Sequence, residues 1–87
     1  MANGNWTVTD AVSVIAEADP HRGVLTIQHY DGDKLYLGFG DEAPEVGNGI
    51  RLGSAVPLVV ISDHRARGKV TGICASTESA TGGYNAA

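Results

Sequence analysis

The chain reads as an all-β protein, a small antiparallel β-sandwich or jelly-roll-like barrel of about six or seven short strands. Three observations predict it. Polar and apolar residues alternate through residues 24–39, VLTIQHYDGDKLYLGF, so that Leu25, Ile27 and His29 share one face of a first run and Leu35, Leu37 and Phe39 one face of a second. Further short apolar runs follow at close spacing, separated by clusters of Gly, Pro, Asp and Asn. The one segment with a case for helix, residues 11–19, has a centre of Val12-Ser13-Val14-Ile15, whose β-branched side chains favour a strand.

Residues 1–10, MANGNWTVTD, show no strand pattern and read as an N-terminal arm. Its tryptophan, Trp6, anchors the arm by burial, on its own domain or on a neighbour. The β-sandwich domain spans residues 11–78, beginning with a strand over 11–16 and a turn at Ala18-Asp19-Pro20-His21. Residues 24–39 then read as a hairpin. An odd loop, Asp31-Gly32-Asp33, sets Leu25 opposite Phe39, Ile27 opposite Leu37 and His29 opposite Leu35, whereas a two-residue loop would put the second apolar set on the face of Thr26 and Gln28. Residues 40–49 form a polar loop carrying Asp41, Glu42 and Glu45, and Ile50-Arg51-Leu52 a short strand. Residues 56–62 make a nearly continuous apolar strand, 63–67 a charged turn and 68–76 the returning strand. Residues 79–87, small and polar except for Tyr84, read as a C-terminal tail.

At 87 residues the chain forms one domain, and by surface scaling such a domain buries only about 60 to 65% of the surface its unfolded chain exposes. A lone cysteine, Cys74, rules out an intrachain disulfide, so the expected reinforcement is a homo-oligomer. With net charge −4 and only 6 basic residues, nucleic acid is not an expected partner. No charged and apolar leader opens the sequence, and no run of apolar residues is long enough to span a membrane, so cytoplasmic synthesis is expected. Asn5-Trp6-Thr7 then matches the glycosylation pattern only by chance.

The closing pair of strands carries more apolar surface than a two-layer sandwich covers. In Pro57-Leu58-Val59-Val60-Ile61 both faces are apolar, and in the return strand Val70 and Cys74 point one way while Ile73 and Ala75 point the other. Val59, Ile61, Ile73 and Ala75 are the candidate subunit interface, with cover by the N-terminal arm or the C-terminal tail as the alternative.

No constellation for catalysis stands out, and the chain is read as a non-enzyme without metal or cofactor. The carboxylates of Asp31 and Asp33 and of Asp41, Glu42 and Glu45 do not match a calcium loop and read as solvated turn charges. His21, His29 and His64 lack ligand spacing, Cys74 lacks a CxxC partner, and His29 reads as structural. Gly53-Ser54-Ala55-Val56 lacks the second glycine of a nucleophile elbow, and Gly47-Asn48-Gly49 leads into a strand rather than the helix of a phosphate loop. Tyr30 and Tyr36, read as sharing the outward face of the hairpin, offer strand packing, a protein contact or a stacking platform for a sugar. Arg65 and Arg67 offer forked donors to an acidic partner surface, or simply a solvated tip.

Tyr36-Leu37-Gly38-Phe39-Gly40, then Gly49-Ile50-Arg51-Leu52, then Val70-Thr71-Gly72-Ile73-Cys74-Ala75-Ser76 together resemble the small all-β virion proteins of tailed bacteriophages. The resemblance spans residues 24–76, and the Ser, Thr, Gly and Ala-rich tail departs from the more hydrophobic final strand of that type. It implies a capsid decoration (cement) protein on the exterior of the virion, binding the major capsid protein as an oligomer, with a trimer favoured. On that reading Trp6, Arg65 and Arg67 contact the capsid. The alternatives are a carbohydrate-binding adsorption module built on Tyr30 and Tyr36, or a fibre or collar component of the same virion.

Overall fold

A computed structural model describes residues 2–87 and is all-β. Its strands are β1 (Ala2–Val8), β2 (Ser13–Ala16), β3 (Leu25–Gly32), β4 (Leu35–Phe39), β5 (Arg51–Leu52), β6 (Leu58–Ile61), β7 (Val70–Cys74) and β8 (Ala80–Ala86), with one 3-10 turn, His64–Arg67, before β7. They form two antiparallel sheets of four strands, in the orders β1-β8-β3-β6 and β2-β7-β4-β5. This is a jelly-roll order: every connection except β4 to β5 carries the chain from one sheet to the other, and the first strand lies beside the last.

That order corrects the expected central hairpin. β3 pairs with β6 and β8, and β4 with β5 and β7, so Leu25 lies beside Ile61 and Ala86 rather than Phe39. The period-two faces are as expected, since Leu25, Ile27, His29, Leu35 and Leu37 are all buried. An alternating pattern states which face is covered but not which strand lies alongside. Two strands that meet face to face across a core satisfy it as well as two that lie edge to edge. The crossover is made at Gly32, whose φ of +100° suits glycine and whose missing Cβ would stand 2.5 Å from the carbonyl oxygen of Ser79. The closing pair is corrected in the same way, because β6 and β7 lie in different sheets and the 3-10 turn bridges the layers.

The expected arm and tail are also strands. β1 pairs with β8 along its whole length, and β8 sits between β1 and β3. Their small residues conceal strand character because they make room for rings. Trp6 is 4% exposed and donates its indole N–H to the carbonyl of Gly83 at 3.0 Å. A Cβ at its cross-strand partner Gly82 would run into the indole and into the carbonyl of Gln28. A Cβ at Gly4 would stand 2.5 Å from the Tyr84 ring.

The interior is filled by Trp6, Val8, Ile15, Leu25, Ile27, Leu35, Leu52, Ile61, Val70 and Cys74, with Phe39, Val59 and Tyr84 packed at its margin. His29, 7% exposed, donates its ring Nε2–H to the carbonyl of Asp33 at 3.0 Å. Cys74 is 1% exposed, and burial raises its thiol pKa above the usual value, with the carboxylates of Asp33, Glu78 and Asp10 adding to the shift. A thiol held neutral and out of solvent is a poor nucleophile. Dithionitrobenzoate is therefore expected to label Cys74 only in denaturant; labelling of the native protein at the rate of a free thiol would show that β7 opens readily. Because the folded thiol keeps its proton when the unfolded one has lost it, stability should also fall as pH rises through about 9.

Candidate functional site

The strand registers define the outer face of the sheet that holds β1, β8, β3 and β6. With Trp6, Val8, Leu25, Ile27 and Ile61 turned inward, the alternate positions look out: Asn3, Asn5 and Thr7 from β1, Thr81, Gly83 and Asn85 from β8, Thr26, Gln28 and Tyr30 from β3, and Leu58 and Val60 from β6. In a chain with 6 basic and 10 acidic residues, the charge that reaches these strands is Asp31, at the far end of β3 beyond a bulge between His29 and Asp31. The remainder is amide, hydroxyl, glycine and exposed hydrocarbon.

Two features stand on this face. Along the free edge, Leu58 is 48% and Val60 57% exposed, and Val56, 49% exposed, precedes them. Nearer the centre, Tyr30 is 61% exposed, and its hydroxyl lies 2.5 Å from where a Cβ of Gly83 would be, so the side chain reclines over that glycine. Gly83 stands between Asn5 and Gln28 in the sheet, which places an amide on either side of the ring.

The opposite sheet presents a different surface. Residues 40–49 lie against it at Gly38, where a Cβ would meet Pro44 and the carbonyl of Glu42. Between this loop and the sheet is an open depression of about 540 Å³, floored by Leu37, Phe39 and Ile50 and rimmed by Glu42, Glu45, Asn48 and Arg65. Glu42 and Glu45 are exposed. Among the described residues, no group of acidic, His and Cys side chains is placed to hold a metal.

The expected site residues do not come together. Tyr30 and Tyr36 lie on the outer faces of different sheets, on opposite sides of the sandwich, because the chain crosses between β3 and β4. Tyr36 is half-buried beside Ile73 and Arg51 and forms no joint platform with Tyr30. Ile61 is a core residue and Val59 packs inward, while Ile73 and Ala75 are half-buried and belong to the other layer, so these four make no common interface patch. Trp6 is buried and unavailable for a capsid contact. Arg65 is half-engaged: its guanidinium lies 4.9 Å from the Phe39 ring centroid and 3.2 Å from an Asp63 carboxylate oxygen. The side-chain hydrogen bond from Arg65, with a second from its backbone N–H, holds the Asp63 carboxyl below the usual carboxylate range. Arg67 is exposed.

Three residues escaped the sequence reading. Leu58 and Val60 were visible as apolar, but assigning them to the surface requires knowing which face of β6 the core takes. Arg22 carried no signal beyond its place between a proline turn and a glycine. It is 5% exposed and donates to the carbonyls of Ala66, Glu17 (3.0 Å) and Gly68 (2.8 Å), pinning the segment before β3 to the 3-10 turn. No family model, curated protein or solved structure matches this chain.

Proposed function

We propose that the protein is a structural virion component of the capsid-decoration type, acting by surface contact rather than by a reaction of its own. The observation that carries this reading is the exposed apolar pair of Leu58 and Val60 on the free edge of a nearly uncharged sheet, with exposed Val56 in the bend that leads into it. Side chains exposed to this degree in line on an edge strand are a surface for association, which soluble monomers ordinarily blunt with charge. The strip also suits a negatively charged chain, since two copies meeting there bring no carboxylates from the strands themselves into contact. Jelly rolls occur in viral capsid domains, which supports the reading by fold analogy alone, as does the resemblance to small phage virion proteins.

The reading specifies self-association through β6 and docking on the major capsid protein. Replacing Leu58 and Val60 together by lysine should leave the melting temperature within a few degrees of the parent, because neither side chain fills the core. It should also convert an oligomer to a monomer in sedimentation velocity. A parent chain that sediments as a monomer at every concentration would remove the oligomer. Absence of the protein from purified particles imaged by electron cryo-microscopy would remove the virion role.

A further inference from the structure

The outer face of the β1-β8-β3-β6 sheet holds a second feature that the apolar strip does not explain. Tyr30 is a large ring left mostly in solvent on a surface of small residues. It does not stand upright: Gly83 beneath it lacks the Cβ that would meet its hydroxyl at 2.5 Å and its Cζ at 3.1 Å. The hydroxyl end of the ring therefore lies over Gly83, while most of the aromatic surface is left to water. By register, Asn5 and Gln28 flank Gly83 in the same row, and Asn85 follows on β8 next to Asn3 and Thr26. Among the described residues, the side chains of Asn3, Asn5, Gln28 and Asn85 make no hydrogen bond within the chain, although each carries two donors and an acceptor.

The geometry points to a binding site for a neutral saccharide, with Tyr30 as the stacking ring and Asn5, Gln28 and Asn85 as the hydroxyl-binding groups. The C–H bonds on one face of a pyranose ring are apolar and pack on an aromatic face, while its equatorial hydroxyls require donors and acceptors around the ring's rim. The site has that composition. Neutrality argues against the other classes of ligand: an anionic glycan or phosphate finds no cation on these strands, and a basic peptide finds only Asp31 beyond the bulge. A second copy of the chain would be served better by the Leu58 and Val60 edge than by exposed amides. This site goes beyond the decoration reading and does not depend on it, since it uses different strands and different side chains.

The test is a titration of the full-length, isotopically labelled protein with cellohexaose, laminarihexaose, mannohexaose and chitohexaose, followed in amide and side-chain NH₂ resonances, with oligogalacturonate as an anionic comparison. The expected result is saturable shifts for at least one neutral sugar, confined to Asn5, Gln28, Tyr30, Gly83 and Asn85. Tyr30→Ala should weaken binding about tenfold or more, Tyr30→Phe should largely retain it, and Tyr36→Ala on the opposite side should leave it unchanged. Tyr30 is solvent-exposed, so its alanine variant should keep the parent's melting temperature, and that measurement is made alongside. The inference is overturned if none of the neutral sugars shifts these residues, if shifts map elsewhere, if oligogalacturonate binds as well, or if Tyr30→Ala binds like the parent. Shifts that depend on protein concentration without sugar would give the face to a second copy instead. Loss of oligomer in the Leu58 and Val60 lysine variant, with sugar binding intact, would separate the two surfaces.

Discussion

Replacing Trp6 by alanine is expected to destabilise the protein by about 3–5 kcal/mol, the range for deleting a large buried aromatic. Two losses combine. The indole leaves a void against Gly82 that cannot collapse readily, because β1 is held to β8 over seven residue pairs, and the carbonyl of Gly83 loses its indole donor. Against a total stability of about 4–13 kcal/mol for a domain of 87 residues, such a loss is a large fraction and leaves part of the population unfolded at 37 °C. Urea unfolding followed by far-ultraviolet circular dichroism measures it, since the variant has no tryptophan to report. Trp6→Phe should recover about half, filling much of the void without the N–H donor. A Trp6→Ala protein as stable as the parent, but defective in binding shells, would instead restore this residue to a surface anchor. Gly82→Ala should be as damaging from the other side: the added methyl meets a backbone carbonyl as well as the indole, so removing the indole in the same chain should not rescue it.

Replacing Arg22 by methionine is expected to cost about 3 kcal/mol while leaving side-chain volume nearly unchanged. The guanidinium serves three carbonyls from two separate segments, Glu17 on one side and, on the other, Ala66 within the 3-10 turn and Gly68 just after it. The backbone bond from Asp19 N–H to the carbonyl of Arg67 (2.9 Å) closes the same junction. Among the described residues the only ion pair is Arg65 with Asp63, so Arg22 is neutralised by carbonyl dipoles and not by a carboxylate. This distinction has a measurable sign. A guanidinium stays charged at all ordinary pH, and its carbonyl partners do not titrate, so the difference between parent and variant should be flat from about pH 5 to 9. A difference that collapses on acidification would show a carboxylate partner in solution. Arg22→Lys should recover only part of the loss, since a compact ammonium lacks the planar fork that spans separate carbonyls. Faster hydrogen exchange at the Asp19 amide should accompany either change.

How much of this was legible beforehand depends on the range of the interaction. Leu25, Ile27, Leu35 and Leu37 could be assigned inward because alternation is local to a strand. The strands at 58–61 and 70–74 could be placed because apolar runs bounded by turn residues have few other uses. β1 and β8 were missed for a physical reason: Asn3, Gly4, Asn5, Gly82 and Gly83 have poor strand propensity, and pairing overrides it because each glycine faces a ring from another strand. The grouping of the candidate site residues was less legible. Tyr30 and Tyr36 are six positions apart and outward-facing, yet an intervening crossover sends them to opposite sides of the molecule. The exposed strip lies on β6 as expected of an apolar strand with two greasy faces, but on Leu58 and Val60 rather than Val59 and Ile61.

From sequence alone came the all-β class, the absence of a disulfide, the low cation content and the inward faces of the central strands. Each follows from composition or from the two-residue repeat of an extended chain, which needs no knowledge of distant residues. The jelly-roll pairing, the burial of Trp6 and Arg22, and the nearly uncharged face with Tyr30 reclining on Gly83 were decided by tertiary structure. Backbone hydrogen bonds between strands are nearly indifferent to side-chain identity, so which edges meet is chosen by the whole core closing at once.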